Sequence, residues 1–182
     1  MSRLLMEPLV NLERLIRDVP DFPKPGIVFK DITPLLADPA GLSLAVELLT
    51  QPFRSRPIDV VVGAESRGFI FGTAVARNLS AGFVPIRKPG KLPYKTRSAR
   101  YELEYGFDEL AIHVDAIRPG QQVLLVDDLL ATGGTMKASC ELVEAGGGIV
   151  AGIAVLIELG FLNGRAKLSG YDLHAIINYD KE

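Results

Sequence analysis

Strand-length apolar runs alternate with helical patterns along most of this 182-residue chain. Continuous apolar runs are typical of strands that are buried on both faces of a parallel sheet. The sequence therefore predicts one α/β domain over residues 1–182, with a central, mostly parallel sheet flanked by helices. The predicted strands are residues 58–62, 82–86, 110–114, 123–126, 149–156 and 171–178, and the predicted helices are residues 41–53, residues 69–79 and the segment after residue 135.

Residues 1–36 have a different pattern from the predicted core at residues 37–182. Apolar residues at helical spacing predict an amphipathic helix over residues 4–19. Residues 20–34 contain four prolines and one glycine, which predicts an irregular segment with a restricted backbone. An apolar patch ending at Phe29 offers fixed main-chain donors and acceptors and an aromatic face, as recognition of a flat base requires. An ordinary core position is the alternative interpretation of Phe29.

The motif VLLVDDLLATGGT at residues 123–135 combines a buried strand, an acidic pair and a glycine loop. The acidic pair is Asp127 and Asp128, and a helical pattern follows the loop. Gly133 and Gly134 have no Cβ, so a ligand can approach their backbone closely. Their amides stand at the start of a helix, where the dipole favours an anion. The motif therefore predicts a phosphate-binding loop.

The acidic pair narrows the range of ligands that this loop could bind. Two carboxylates would repel a polyphosphate directly above them, but they suit the 2- and 3-hydroxyls of a ribose whose 5-phosphate lies in the loop. No Walker lysine follows the glycines and no G-x-G-x-x-G is present, which argues against an ATPase and a dinucleotide-binding protein. A glycine-rich turn beside two solvated aspartates is the alternative interpretation.

Two other segments carry residues suited to anion binding. The predicted strand 58–62 leads into the loop GAESRG at residues 63–68, where Arg67 supplies a permanently charged donor fork. Residues 87–97 contain five cations in eleven positions, a concentration of positive charge that suits an anionic ligand. The alternative interpretation of Arg67 is a charge on a helix surface, and that of residues 87–97 is a solvated basic loop.

Composition excludes several classes of protein. A net charge of −2 gives no reason to expect nucleic acid or an anionic membrane as a partner, and no long apolar run or export leader is apparent. Cys140 is the single cysteine, so a disulfide framework is excluded and a reducing compartment such as the cytoplasm is favoured. Cys140, His113 and His174 lack the spacing of a metal or nucleophilic site, and Cys140 is expected to be a small buried residue.

The motif at residues 123–135 resembles the phosphoribosyl pyrophosphate (PRPP) motif of the type I phosphoribosyltransferases. Segments 22–34, 63–69 and 86–106 resemble, in the same order, the corresponding segments of the adenine-specific branch of that family. The resemblance implies that branch's fold, with an N-terminal base-binding hood over residues 1–36 and a flexible flap over residues 88–107. It implies purine salvage in which adenine and PRPP give AMP and diphosphate.

The resemblance also implies partners and roles for individual residues. It implies a cytoplasmic homodimer and Mg²⁺ held mainly by PRPP, diphosphate and water, with no ligand directly from the protein. The implied catalytic residues are Glu104, which handles the proton on the adenine ring, Asp127, Asp128 and Arg67. The implied substrate-binding residues are Val28, Phe29, Lys30, Glu65, Ser66, Arg87, Lys88, Lys91, Tyr105, Leu129, Ala131, Thr132, Gly133, Gly134, Thr135 and Leu159.

Within this set the resemblance gives particular tasks to three residues. The backbones of Val28 and Lys30 read the adenine edge, and Phe29 stacks on the ring. Leu159 follows a predicted strand near the same sheet edge, so we expect it to form a wall of the base pocket. The peptide bond corresponding to that between Glu65 and Ser66 is often cis in this family.

Two alternative functions remain open at the sequence level. A phosphoribosyltransferase for hypoxanthine, guanine or xanthine needs a donor for O6, commonly a lysine after the strand that ends at residues 157–159. No lysine stands directly after that strand, which favours a 6-amino purine. A non-catalytic PRPP sensor would usually add a DNA-binding domain, but no helix-turn-helix segment or basic face is left over.

Overall fold

The computed structural model describes residues 11–102 and 106–181, and the chain divides into two compact units. The first unit extends to Glu47 and the second begins at Leu48. Within the described part, no helix is long and apolar enough to cross a membrane. The α-helices are α1 (Thr33–Ala37), α2 (Pro39–Thr50), α3 (Gly68–Leu79) and α4 (Gly134–Ala145).

The second unit is built on a five-stranded sheet in which every neighbouring pair is parallel. Its order is β4-β3-β7-β8-β9, so β4 and β9 are the edge strands. Helices α3 and α4 pack against the sheet. The strands are β3 (Val60–Ala64), β4 (Gly82–Ile86), β7 (Gln122–Leu130), β8 (Ile149–Leu159) and β9 (Leu173–Tyr179).

Burial explains why the apolar runs form the central strands. Every residue of β3 is buried, and residues 123–126 of β7 are at most 1% exposed. Strands that are covered on both faces have continuous apolar runs instead of an alternating apolar and polar pattern. Helix α4 contributes Leu142 and Val143 to the same core, together with the buried thiol of Cys140. The predicted fold class and the predicted edge strand near the C-terminus are therefore confirmed.

A separate antiparallel hairpin lies in the region predicted as a flap. Strand β5 (Thr96–Glu102) pairs with β6 (Phe107–His113), and β5 contacts helix α4. A two-way backbone bridge between Arg87 and Ala111 joins the hairpin to the segment after β4, with N–O distances of 2.9 and 2.7 Å. The predicted strand 110–114 thus begins three residues earlier and has a partner strand that the sequence did not indicate.

The predicted N-terminal helix is wrong over the residues that the structure describes. Residues Leu12–Leu15 form a short 3-10 helix, and Arg17–Val19 form strand β1, antiparallel to β2 (Phe29–Asp31). Lys30 Nζ and Asp18 Oδ1, which face each other across this pair, are 2.7 Å apart. Pairing between distant segments has overridden the local helical spacing. Residues 4–10 of the predicted helix lie outside the described residues.

Candidate active site

Two loops and one basic segment surround a cavity of about 390 Å³ at the carboxyl ends of β3 and β7. These strands are parallel neighbours, so the loops that follow them open at the same edge of the sheet. The cavity is lined by Glu65, Ser66, Arg67, Lys88, Asp127, Asp128, Leu129, Leu130, Ala131, Thr132, Gly133, Gly134, Thr135 and Met136.

The loop between β7 and α4 has the geometry of an anion site. Gly133 adopts a φ of +78°, which a residue with a Cβ rarely adopts, and it directly precedes helix α4. The hydrogen bond from Lys137 N to Gly133 O, 2.9 Å long, is the first of the helix. The amides of Gly134, Thr135 and Met136 precede it and have no intrahelical acceptor. With the positive end of the helix dipole, they make this loop suitable for a phosphate.

The acidic pair has two different environments. Asp128 is 4% exposed, and its Oδ2 accepts a hydrogen bond from Arg67 Nε. Asp127 Oδ1 accepts a hydrogen bond of 2.9 Å from the amide of Asp128. Burial, followed by the negative charge of Asp128, raises the pKa of Asp127 well above its ordinary value. Burial and the charge of Asp128 thus oppose ionisation of Asp127, and the charge of Arg67 favours it.

The loop after β3 is tied to the basic segment by Glu65. Glu65 Oε2 accepts a hydrogen bond of 2.9 Å from Lys88 N and one of 3.3 Å from Arg87 Nε. The hydrogen bond from Lys88 N, with those from Arg87 and the charges of Arg87 and Lys91, holds the pKa of Glu65 below its ordinary value despite partial burial. The peptide bond between Glu65 and Ser66 is cis. Glu65 thus fixes the start of the basic segment beside the cavity.

A chain of polar contacts connects Lys88 to the phosphate loop through the hairpin. Lys88 Nζ donates to Asp108 Oδ2, and Tyr101 Oη donates to the same oxygen over 2.9 Å. Thr135 Oγ1 donates to Tyr101 Oη over 3.3 Å. Burial by itself raises the pKa of Asp108, but the hydrogen bond from Lys88 and those from Glu109 N and Tyr101 bring it below its ordinary value. Asp108 is therefore an anion that holds the ammonium group of Lys88.

The structure brings twelve of the predicted site residues to the cavity and leaves others elsewhere. Arg87 and Lys91 contact its rim residues, and Leu159 is buried at the end of β8, but among the described residues these three do not line it. The predicted Glu104 and Tyr105 lie outside the described residues. Leu130 and Met136 also line the cavity but are not among the predicted site residues, although Leu130 lies in the motif at residues 123–135 and Met136 directly follows it. The predicted residues of the first unit are Val28, Phe29 and Lys30.

Comparison with known proteins identifies the family. The phosphoribosyl transferase domain matches residues 31–175. The adenine phosphoribosyltransferase of Nitrosococcus oceani is 60% identical over 169 residues, which cover 93% of this chain and 99% of the relative. This chain belongs to the adenine phosphoribosyltransferases of the phosphoribosyl transferase family. The relative from Kosmotoga olearia is 55% identical over 170 residues, with 93% of this chain and 100% of the relative covered.

Solved structures of adenine phosphoribosyltransferases have the same fold. The enzyme of Thermoanaerobacter pseudethanolicus matches with a TM-score of 0.90 and 54% identity, and the match covers 92% of this chain and 98% of that one. The Saccharomyces cerevisiae enzyme, complexed with an imino-altritol bisphosphate and adenine, matches with a TM-score of 0.86 and 40% identity over 91% and 96% of the two chains.

Proposed function

We propose that this phosphoribosyltransferase transfers the 5-phosphoribosyl group of PRPP to N9 of adenine, giving AMP and diphosphate. The observation that carries the proposal is the phosphate loop beside the pair Asp127 and Asp128, in a chain 60% identical to a curated adenine phosphoribosyltransferase. A 6-oxo purine as the base is not favoured, because Gly160, Phe161 and Leu162 follow β8, where the donor for O6 is commonly a lysine.

The reaction exchanges one bond at the anomeric carbon for another. The bond from C1 of the ribose to the diphosphate oxygen breaks, and its electron pair leaves with diphosphate. N9 of adenine attacks C1 from the opposite face, and the ring loses one proton. Positive charge develops on the ribose ring between these events, so carboxylates beside the ring stabilise the transition state. Aligning both reactants in one cavity lowers the barrier further.

The ribose phosphate half of PRPP is assigned to β7 and α4. The amides of Gly134 and Thr135 would hold the 5-phosphate, with the hydroxyl of Thr132 as an additional donor. Asp127 would accept hydrogen bonds from the ribose hydroxyls, and its negative charge would stabilise the positive charge that develops on the ring. Asp127 is partly exposed, lines the cavity and lies three residues before Leu130, the last residue of β7, which supports this role.

The diphosphate half is assigned to the cations on the other side of the cavity. Arg67 and Lys88 line the cavity and are held by Asp128 and Asp108, respectively. A diphosphate has more charge than either carboxylate and can accept from both donors, so we expect it to draw them away from these partners. Lys91 and Arg87 would add positive charge at the rim, within one subunit or across the interface of a homodimer.

Roles in base recognition are proposed residue by residue. The backbones of Val28 and Lys30 would read the adenine edge, Phe29 would stack on the ring, and Leu159 would form a wall. The side chain of Lys30 is 7% exposed and lies against Asp18, which supports a role for its main chain alone. Glu104 would take the proton of the adenine ring, with Tyr105 beside it in the flap.

Magnesium is proposed to enter the cavity bound to the phosphates of the substrate. The described residues contain no group of three or more acidic, histidine or cysteine side chains that could hold a metal ion. Mg²⁺ commonly keeps several waters and binds substrate phosphates with few protein carboxylates. When bound to PRPP it would neutralise part of the charge of the diphosphate leaving group. We place the enzyme in the cytoplasm, as its single buried cysteine suits a reducing compartment.

A coupled assay tests the proposed reaction. The purified enzyme is given PRPP, Mg²⁺ and either adenine, hypoxanthine or guanine, and both the nucleotide and diphosphate are measured. Adenine is expected to give equal amounts of AMP and diphosphate, and the 6-oxo purines at least about a hundredfold lower kcat/KM. Comparable turnover of hypoxanthine or guanine would overturn the base assignment, and binding of PRPP without turnover of any base would favour a sensor.

A further inference from the structure

Gly164 touches the backbone of the phosphate loop directly. A Cβ added to Gly164 would overlap Ala131 O and would lie 2.9 Å from Gly133 N. A Cβ added to Gly133 would lie 2.5 Å from Gly164 O. The two backbones can therefore pack together only because neither residue has a side chain. Gly164 is buried, although the residues on both sides of it in sequence are exposed.

The segment that contains Gly164 is anchored at several points outside the loop. Gly164 begins a 3-10 helix, Gly164–Leu168, and Leu168 is 1% exposed within the hydrophobic core. Arg165 Nε donates to Glu158 Oε1 over 2.9 Å, and Arg165 Nη1 donates to Leu173 O over 3.0 Å. We call residues 160–168 the buttress segment.

Glu158 connects the buttress segment to the strand that carries the phosphate loop. Glu158 is 7% exposed, and the β7–β8 register sets it beside Leu130, the last residue of β7. A buried carboxylate needs a charged partner, and the forked guanidinium of Arg165 supplies two donors in fixed geometry. The pair thus holds Gly164 at a defined distance from the end of β7.

Gly164, Arg165 and Glu158 have no role in the chemistry assigned above. Gly164, Arg165 and Glu158 are absent from the described residues that line the cavity. The loop itself contains Gly133 at a positive φ, so its own side chains do little to fix its shape. A displacement of about 1 Å at a substrate-positioning group can cost a hundredfold in rate. A rigid support behind the loop therefore has a direct consequence for PRPP binding.

We infer that Gly164, held by the pair of Arg165 and Glu158, is a positioning residue that fixes the phosphate loop for PRPP. This inference rests on the proposed role of the loop in binding the 5-phosphate. It concerns residues that act through the loop backbone and do not touch the substrate.

The direct test is Gly164→Ala, with Gly82→Ala as the matched control. A Cβ at Gly82 would meet only atoms at 3.7 Å or beyond, which is ordinary contact. We expect Gly164→Ala to raise the KM for PRPP by about tenfold or more while the KM for adenine changes less than about twofold. Gly82→Ala should leave both constants near wild type. Equal rises in both constants, or no rise, would overturn the inference.

A second pair of variants decides the matter if Gly164→Ala fails to fold. Arg165→Gln removes the charge and the fork, and Arg165→Lys keeps the charge but not the fork. The KM for PRPP should rise in Arg165→Gln and recover partly in Arg165→Lys, with the KM for adenine unchanged. Loss of stability in both variants with an unchanged KM for PRPP would make the pair merely structural and contradict the inference.

Protection by ribose 5-phosphate separates failure of this inference from failure of the phosphate assignment. The midpoint of thermal unfolding is measured with and without this ligand for wild type, Gly164→Ala and Gly82→Ala. If wild type is not protected, the loop does not bind the 5-phosphate and the assignment itself is wrong. If wild type and Gly164→Ala are protected equally, only the positioning role is wrong. Protection of wild type and Gly82→Ala alone supports both.

Discussion

At the residue scale, Asp127 shows how a functional group can lower the free energy of unfolding. Burial and the neighbouring charge of Asp128 raise its pKa, so the native state holds this proton more tightly than the unfolded chain does. The free energy of unfolding must then fall as pH rises from the ordinary aspartate pKa to the raised native pKa. The carboxyl group of Asp127 therefore contributes less stability at neutral pH than at acidic pH, although the proposed reaction needs its negative charge.

Asp127→Asn should consequently stabilise the protein and impair the enzyme. We expect the midpoint of thermal unfolding at pH 7.5 to rise by about 2–4 °C, the effect of roughly 1 kcal/mol in a domain of this size. We expect kcat/KM for PRPP to fall by about a hundredfold or more, because the carboxylate opposes the charge that develops on the ribose. Differential scanning calorimetry and initial-rate kinetics measure the two effects.

The pH dependence distinguishes this explanation from a general packing effect. The gain in stability should shrink as pH is lowered through the native pKa of Asp127 and vanish below the ordinary aspartate pKa, where both states are protonated. Asp115→Asn, an exposed substitution of the same type, serves as the control and should change neither stability nor rate. A gain that is constant with pH, or a fully active Asp127→Asn, would contradict the charge argument.

At the scale of secondary-structure elements, the β5–β6 hairpin and the phosphate loop are joined by one tyrosine. Tyr101 Oη donates to Asp108 and accepts from Thr135, so it connects a residue that holds Lys88 with a residue of the loop. Its loss leaves Thr135 and Asp108 each without this hydrogen-bond partner. A single hydrogen bond contributes about 0.5–1.5 kcal/mol net, which corresponds to a factor of roughly 2–12 in affinity.

Tyr101→Phe should therefore raise the KM for PRPP by about two- to tenfold with little change in the KM for adenine. Tyr171→Phe is the matched control, because Tyr171 Oη also donates to a carboxylate, that of Glu144 over 2.8 Å, and Tyr171 does not line the cavity among the described residues. Steady-state kinetics with each substrate varied measure the difference. An equal response of the two variants would mean that the contact with Thr135 has no functional consequence.

The same hairpin shows what the sequence could and could not predict at this scale. Buried parallel strands can be recognised from their continuous apolar runs. The phosphate loop can be recognised because its glycines and aspartates are residue types that the proposed ligand contacts require. Strand β1 and the hairpin depend on pairing between separate segments, and local periodicity does not indicate which segments pair. Asp108 and Tyr101 become partners only through the register Tyr101↔Asp108, so no local pattern singles them out.

At the scale of the whole molecule, binding at one loop should raise the stability of the entire second unit. A ligand that binds only the native state adds about 2.7 kcal/mol at a hundredfold excess over its dissociation constant. In a domain of this size, this corresponds to roughly 5–10 °C in the midpoint of unfolding. The chain has no tryptophan, and its five tyrosines, at positions 94, 101, 105, 171 and 179, all lie in the unit that begins at Leu48. Tyrosine fluorescence is therefore a selective probe of the second unit, whereas far-UV circular dichroism also reports the helices of the first.

Ribose 5-phosphate at saturation should raise the tyrosine-fluorescence midpoint by this amount, and ribose alone should raise it by less than about 1 °C. The reason is that the phosphate supplies the charge which the helix N-terminus and its unpaired amides bind. Circular dichroism should give the same midpoint if the two units unfold together, and a second, unshifted transition if they do not. A shift with ribose equal to that with ribose 5-phosphate would contradict the argument, because it would show that the sugar hydroxyls and the acidic pair dominate binding and that the loop contributes no affinity for phosphate.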